Sequence, residues 1–306
     1  MLMSEWFSMP RLEERRLQQL RGSSYVLTLP KDWVEELGLG KGSSVFLLAE
    51  PGLLIVVPSE KAGGLLVDID LDVVGEKRLE DVTRVLYKIG ASQVRFRTRA
   101  AVQELMSRLR RLRREIHGFI VTTPRENQVE GAFSDEVFAS LDQGVRVFLM
   151  TLASAAQTAV RQEEMKDIDA LPDEVADCRL YAHALFRHVS GLLTKPSRDI
   201  VIQAISLASV IATRLLDLCN SFEDVVSSRT GIGLSENLII FAELVSELTD
   251  AIGGDHDSLE RVGGKVEKML ADEAVRDCKC YVLFRTLSQA INSLRDLYLL
   301  KTVIAA

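Results

Sequence analysis

Short apolar runs separated by turn signals in the first part of the chain predict β-strands. Up to about residue 60 the runs are SYVLTL (24–29), SVFLLAE (44–50) and LLIVVP (53–58). After the first run comes Pro30, which suits the first turn of a helix. The apolar side chains of WVEEL then share one helix face before Gly38. The pattern predicts a strand, a short helix and a closing hairpin.

Residues 65–128 alternate between strand-like and helix-like patterns. The pattern predicts strands over VDIDLDV, QVRFRT and FIVTT, and helices over residues 80–88 and 101–117. The helix over 101–117 is indicated by Leu105, Leu109 and Leu112, which recur at the three-to-four spacing of one helix face. The segment is therefore predicted to form a small α+β linker domain.

From about residue 132 to the end, apolar residues recur at helical spacing, with only Pro172 and Pro196 in this part of the chain. The first predicted helix starts with Phe133, Val137 and Leu141, and the next ones cover 175–193, 198–226, 234–252, 258–275 and 278–303. Three helices followed by three helices predict tandem three-helix bundles over 132–230 and 234–306. The whole chain is thus expected to be multidomain and mainly α.

Composition narrows the class of protein. The four cysteines form no CxxC pair, which predicts reduced, mostly buried thiols rather than a zinc site or a disulfide framework. The longest uncharged stretches of the helical region, 147–160 and 200–213, contain 14 residues each, fewer than the ~20 that a spanning helix needs. The N-terminal MLMSEWFSMP lacks the basic segment of a signal peptide. We therefore expect a cytoplasmic protein with no integral membrane segment.

The net charge of −7 conceals one basic block. Residues 84–114 contain ten basic residues and one acidic residue, whereas the segments before and after carry net charges of −5 and −11. The block is either a solvated face paired with acids of the helical bundle, or an auxiliary surface for nucleic acid or an acidic partner. Its arginines share a strand face (Arg95, Arg97, Arg99) or crowd the polar side of the next helix (Arg108, Arg110, Arg111, Arg114). The candidates for the auxiliary surface are Arg95, Arg97, Arg99, Arg108 and Arg111.

The segment Arg15 to Glu60 resembles the AbrB/MazE (SpoVT-AbrB) family of swapped-hairpin DNA-binding domains. The resemblance rests on RGSSY, a strand ending in LPK, then WVEELGLGKG and a closing hairpin, in the family's order. It implies a DNA-binding and dimerisation domain over 11–60, in which two chains interleave hairpins into one β-barrel and form a homodimer. The residues that it assigns to DNA are Arg15, Arg16, Arg21, Gly22, Ser23, Ser24 and Lys31.

The segment 11–31 carries five basic and two acidic residues, which favours DNA locally. One departure from the family pattern is Glu35 and Glu36, where some members carry arginines; these acids oppose phosphate contact from that helix. The alternative is a barrel that only dimerises and no longer binds DNA.

The helical region resembles PhoU, the phosphate-uptake regulator family built from two three-helix bundles. The resemblance rests on the bundle pattern and on acidic residues at helical spacing. It implies a divalent or ferric metal ion on acidic motifs, for which the candidates are Asp173, Asp177, Asp217 and Asp296. Asp173 and Asp177 lie four residues apart and share a helix face, although the helix dipole also explains an acid just after Pro172.

The other two aspartates belong to degenerate copies of the family's E-R-x-x-D motif, TRLLD and NSLRD, in which the glutamate is replaced. Fewer carboxylates hold a metal less well. Asp217 and Asp296 occur in apolar helices where an unpaired acid is costly, and Arg214 and Arg295 are their alternative partners.

Together these features predict a transcription regulator of phosphate uptake, with an AbrB-like dimer on promoter DNA and a PhoU-like region that senses phosphate or docks a partner. The alternative is an interaction protein that does not bind DNA and restrains a phosphate ABC transporter or its sensor kinase. We expect no enzyme, because no nucleophile arrangement and no Gly-rich phosphate loop occurs. A metal-carboxylate oxidase is disfavoured because His183 and His188 do not stand at the ligand spacing of a di-iron bundle.

Overall fold

The chain divides into two compact units, an N-terminal unit (residues 1–48 and 54–62) and a main unit (residues 49–53 and 63–306). The computed structural model describes residues 13–19, 22, 24–50, 53–58, 65–99, 101–122, 127–134, 137–165, 171–194, 204–228, 234–254, 256–276 and 278–305.

The N-terminal unit is built from short strands around one short helix. Its elements are β1 (Gln18–Gln19), β2 (Tyr25–Val26), α1 (Lys31–Glu36), β3 (Val45–Glu50) and β4 (Leu53–Pro58), where the last two residues of β3 and the first residue of β4 fall in the segment 49–53 that is counted with the main unit. β1 and β2 form one antiparallel pair, and β3 and β4 form another two-stranded sheet. α1 ends as predicted, because Gly38 adopts a φ of 65° and Leu39 N–H donates back to the Val34 carbonyl at 2.9 Å. The order of strand, helix and hairpin agrees with the prediction, although the first strand is shorter.

The main unit begins with an α/β domain on a four-stranded sheet. Its elements are β5 (Leu65–Asp70), α2 (Leu71–Val74), a 3₁₀ turn (Glu76–Arg78), α3 (Leu79–Lys88), β6 (Ala91–Arg97), α4 (Val102–Leu112), β7 (Phe119–Val121) and β8 (Gln128–Phe133). The strand order is β5-β6-β8-β7, with β5 parallel to β6 and the other neighbours antiparallel. Val94 and Phe96 of β6 share a buried core with Leu86 of α3 and Leu109 of α4. One face of the sheet is therefore apolar and the alternate positions carry charges.

Strand β8 differs from the prediction, which ends this domain at residue 128 and places Phe133 at the start of a helix. In the structure β8 lies between β6 and β7, and Val129 and Phe133 are buried. Phe133 stacks on Phe119 of β7 with ring centroids 4.9 Å apart. The helical spacing of Phe133, Val137 and Leu141 concealed the strand, because an alternating segment as short as QVEGAF is compatible with both periods.

The remaining residues form long helices around one hydrophobic core. They are α5 (Leu141–Met165), α6 (Leu171–Thr194), α7 (Ile205–Ser228), α8 (Leu234–Ala251), α9 (His256–Ala271), the short α10 (Glu273–Arg276) and α11 (Tyr281–Ala305). α6 packs against α5 and α7, and α9 packs against α8 and α11. The two sets also meet directly, α5 against α8 and α7 against α11, so they bury one continuous core rather than one each.

Within the described residues, α7 is the one helix long and apolar enough to cross a membrane by length and composition. One face of α7, including Leu215, Leu218 and Phe222, is buried in the helical core. That burial gives a physical reason for its apolar composition.

A buried arginine joins the helical region to the α/β domain. The guanidinium of Arg187, on α6, donates to the carbonyl oxygens of Ser134 at 2.8 Å and Ala91 at 2.6 Å. A longer hydrogen bond of 3.3 Å reaches the Tyr87 carbonyl. The same guanidinium lies 5.1 Å and 5.5 Å from the ring centroids of Tyr87 and Phe133. One side chain thus connects α6 to the backbone of α3, of β6 and of the residue that follows β8.

Candidate nucleic-acid interface

The β1–β2 hairpin holds several of the residues that the AbrB/MazE resemblance assigns to DNA. The two strands pair in an antiparallel register that leaves residues 20–24 as their connection. In this connection Gly22 has a φ of 128° and Ser24 is exposed. A Cβ at Gly22 would meet no atom within 4 Å, so the backbone conformation rather than local space requires glycine here. Arg21 and Ser23 lie outside the described residues.

The remaining predicted DNA contacts flank this hairpin in the sequence. Arg15 and Arg16 are exposed just before β1, and Arg15 contacts the carboxylate of Glu13. Lys31 is the first residue of α1, with its Nζ 3.5 Å from Glu35 Oε1 one turn later. An exposed pair of this kind contributes little stability, and a phosphate can replace the carboxylate. The described cations are therefore accessible to a polyanion.

The described residues of the N-terminal unit form no core of their own. None of the side chains that the structure describes between residues 13 and 58 is buried. Its exposed large apolar side chains are Leu17, Tyr25, Leu27, Leu29, Phe46, Leu47 and Leu54. Two small sheets with exposed apolar faces are marginal in water and need a covering surface.

Most arginines of the predicted auxiliary surface are paired with acids. The carboxylates belong to the α/β domain itself, not to the helical bundle as the solvated-face alternative had it. The pairs are Arg95 with Glu130 at 2.9 Å and Asp68 at 3.5 Å, Arg97 with Asp68 at 3.2 Å, Arg99 with Asp72 at 3.3 Å, and Arg108 with Glu80 at 2.7 Å. The hydrogen bond from Arg108 lowers the pKa of Glu80. Arg111 is exposed and contacts no carboxylate in the part of the chain that the structure describes.

The four aspartates predicted as metal ligands lie on three different helices. Asp173 and Asp177 are exposed on α6, and Asp296 is exposed on α11. Asp217 on α7 is 3.7 Å from Arg214, the pairing expected as an alternative to metal binding. Among the described residues, none of the four belongs to a group of three possible ligands within 4.8 Å of one another. The residues present therefore do not fit a shared metal centre.

The expectation of apolar surroundings for the aspartates of the degenerate motifs is wrong, because Asp296 is exposed and Asp217 half-exposed. Water solvates these carboxylates, so neither needs a buried partner. Arg295 binds Glu260 of α9 at 2.7 Å.

The described residues contain one group with possible ligand atoms close together, at the start of α9. His256, Asp257 and Glu260 offer atoms within 4.8 Å of one another. Glu260 is already bound by Arg295 in the ion pair described above. A cation would compete with that guanidinium for the Glu260 carboxylate, so the group is better understood as an ion-paired helix start.

Sequence reasoning missed two buried polar residues of α6, Arg187 and His183. His183 is only 6% exposed. Burial and the positive charges of Lys88, Arg84 and Arg179 lower its pKa to about 4. The two residues stand one helical turn apart, but the sequence shows only a polar pair in an apolar helix.

Comparison with known proteins identifies only the first part of the chain. Residues 18–63 match the family model described as antidote-toxin recognition MazE, bacterial antitoxin. No curated protein and no solved structure matches the chain. The class of protein defined here is thus one with a MazE/AbrB-like N-terminal domain and a mainly helical remainder. The PhoU resemblance of the helical region finds no support in these comparisons.

Proposed function

We propose that this chain is a cytoplasmic DNA-binding regulator of the antitoxin type, which acts as a homodimer through its N-terminal unit. The match of residues 18–63 to the MazE family carries the proposal. Accessible cations before β1 and at the start of α1 support it. The main unit would then be a regulatory region that docks a partner or ligand.

The exposed apolar side chains of the N-terminal unit support the dimer. A second copy that interleaves its hairpins with the first would cover the faces of β2, β3 and β4 and complete a barrel. The isologous arrangement also presents two copies of the β1–β2 hairpin, which suits a pseudo-palindromic duplex.

The narrower hypothesis of a role in phosphate uptake rests on the PhoU resemblance alone. The metal part of that resemblance is disfavoured by the dispersal of its four aspartates. We therefore propose partner docking by the helical region without a metal centre.

Fluorescence anisotropy with the full chain tests DNA binding. The probes are a duplex from upstream of the chain's own coding sequence and a scrambled duplex of equal length. We expect Arg15→Gln/Arg16→Gln to weaken binding to the upstream duplex about 10- to 100-fold, and to reduce the salt slope by about 2.

A matched pair of lysines provides the control. Lys31 and Lys41 are both exposed, and only Lys31 belongs to the predicted DNA contacts. Lys31→Gln should weaken binding severalfold, whereas Lys41→Gln should not. Equal affinity of the wild-type chain for both duplexes, or no binding by a dimeric chain, would refute a sequence-specific regulator. The second result would favour the interaction protein that uses its N-terminal unit only to dimerise.

A further inference from the structure

A group of four arginines lies at the end of α4 and in the turn that follows it. We define the arginine cluster as Arg110, Arg111, Arg113 and Arg114, all of which are exposed. The opposite face of α4, which includes Leu105, Leu109 and Leu112, is buried in the core of the α/β domain. Packing of that apolar face therefore fixes the cluster on the outside of the domain.

The cluster differs from the other arginines of the basic block, which bind carboxylates. Arg84, Arg95, Arg97, Arg99 and Arg108 each have an acidic partner. No member of the cluster contacts a carboxylate among the described residues. Glu115 follows the cluster directly, but Arg84 binds its Oε2 through two nitrogens at 2.7 Å and 3.0 Å. The nearest acid in the sequence is thus occupied by an arginine from another helix.

Four cations in five residues exceed what the helix itself needs. One or two basic side chains in the last turn interact favourably with the helix dipole. Further cations three and four residues apart repel one another, at a few tenths of a kcal/mol per pair. An external anion would remove this repulsion, and the planar forks of arginine match phosphate oxygens well.

We propose that the arginine cluster is a second DNA contact, which binds the phosphate backbone of duplex DNA without reading its sequence. Residues 110 to 114 extend over about 6 Å at helical rise, a length of duplex that carries about three or four phosphate charges. The choice of duplex DNA over another polyanion rests on the proposed function, because a chain held on DNA by one unit presents its other cations at high effective concentration.

The test compares two fourfold variants of the full chain on the upstream and scrambled duplexes. The first replaces all four arginines of the cluster by glutamine. The matched control is Arg161→Gln/Arg261→Gln/Lys268→Gln/Arg285→Gln, which removes the same charge from exposed positions of the helical region. We expect the cluster variant to bind both duplexes about 10- to 100-fold more weakly, with a salt slope shallower by about 3 to 4. The control should stay within about threefold of the wild-type affinity.

A third variant with lysine at all four cluster positions keeps the charge and should retain most of the affinity. Thermal unfolding verifies that each variant is folded. We expect every variant to fold, because all the substituted side chains are exposed. Unchanged affinity of the cluster variant for both duplexes, or a loss equal to that of the control, would overturn the proposal.

The outcomes separate this proposal from the proposed function. If the upstream duplex is preferred and the cluster variant binds like the wild type, the result supports the sequence-specific regulator and refutes the second DNA contact. If both duplexes bind equally and the cluster variant binds both more weakly, the result supports the second DNA contact and refutes the sequence-specific regulator.

Discussion

The N-terminal unit and the main unit differ in the burial of their apolar side chains. No described side chain between residues 13 and 58 is buried, whereas the main unit encloses two hydrophobic cores. Phe46 of β3 and Val85 of α3 illustrate the contrast, because both are 55% exposed. Val85 stands beside the buried residues Leu86 and Tyr87 of its own helix, but Phe46 has no described buried neighbour in its unit.

The contrast shows that exposure has a different meaning in each unit. A scattered apolar residue on a domain with a complete core is ordinary. A set of apolar residues on a unit without a core indicates that the core is completed by another surface. We therefore expect the stability of the main unit to be independent of protein concentration, and the stability of the N-terminal unit to increase with protein concentration.

The largest expected effect concerns the buried arginine that connects the two parts of the main unit. Arg187→Met keeps the apolar stem but leaves the carbonyls of Ser134 and Ala91 without their donor. We expect a loss of about 3 to 4 kcal/mol in the free energy of unfolding, measured with urea. Arg179 of the same helix provides the control, because it is one-third exposed and pairs with Glu223. Arg179→Met should cost less than about 1 kcal/mol; equal losses would contradict the connecting role of Arg187.

The second-largest expected effect concerns the exposed apolar face of the N-terminal unit, and it tests the contrast between the units directly. Phe46→Asp places a charge on a face that the second copy would cover, and both copies of a symmetric dimer carry it. We expect the dimer dissociation constant to rise at least about 100-fold, or about 3 kcal/mol, in sedimentation equilibrium.

Val85→Asp is the control for Phe46→Asp, with the same exposed fraction in the wild-type chain. It should leave the dissociation constant unchanged and the free energy of unfolding within about 0.5 kcal/mol. If Phe46→Asp also leaves the dimer dissociation constant unchanged, the N-terminal unit does not use this face for assembly.

The smallest effect is a pH dependence within the main unit. Burial near Lys88 and Arg84 lowers the pKa of His183 to about 4, whereas an unfolded histidine titrates near 6.5. The unfolded state then binds a proton that the folded state does not, so this stability is complete above pH 6.5 and falls as the pH approaches 4. We expect His183 to contribute a loss of about 2 kcal/mol between pH 7.5 and 4.5. In urea unfolding His183→Gln should show a shallower decline over this range, and parallel declines would contradict the assignment.

Much of the fold follows from local pattern. The six long helices occupy nearly the predicted segments, and Gly38 ends α1 as expected. Strand β8 was missed because short alternation alone does not separate strand from helix, and because its partner β6 is remote, with paired residues such as Arg97 and Gln128 far apart in the sequence.

The candidate sites were less predictable than the elements. The sequence locates the basic block and the cations around the β1–β2 hairpin. It does not show which arginines are neutralised, because their partners are remote: Glu115 is 31 residues from Arg84, and Glu130 is 35 residues from Arg95. The predicted helices already separate Asp177, Asp217 and Asp296, but only the fold shows that, among the described residues, none of the four aspartates joins a common group of possible ligands.

The sequence by itself determined most of the secondary structure, the family resemblance of the first part and the net charge of each segment, because these depend on residues near one another in the chain. Only the tertiary structure decided that Arg187 is buried between the helical region and the α/β domain, and that four arginines at the end of α4 have no acidic partner among the described residues. It also decided that the described side chains of the N-terminal unit form no buried core. These properties depend on which distant side chains the packing brings together, and pairing, burial and solvent access exist only after that packing.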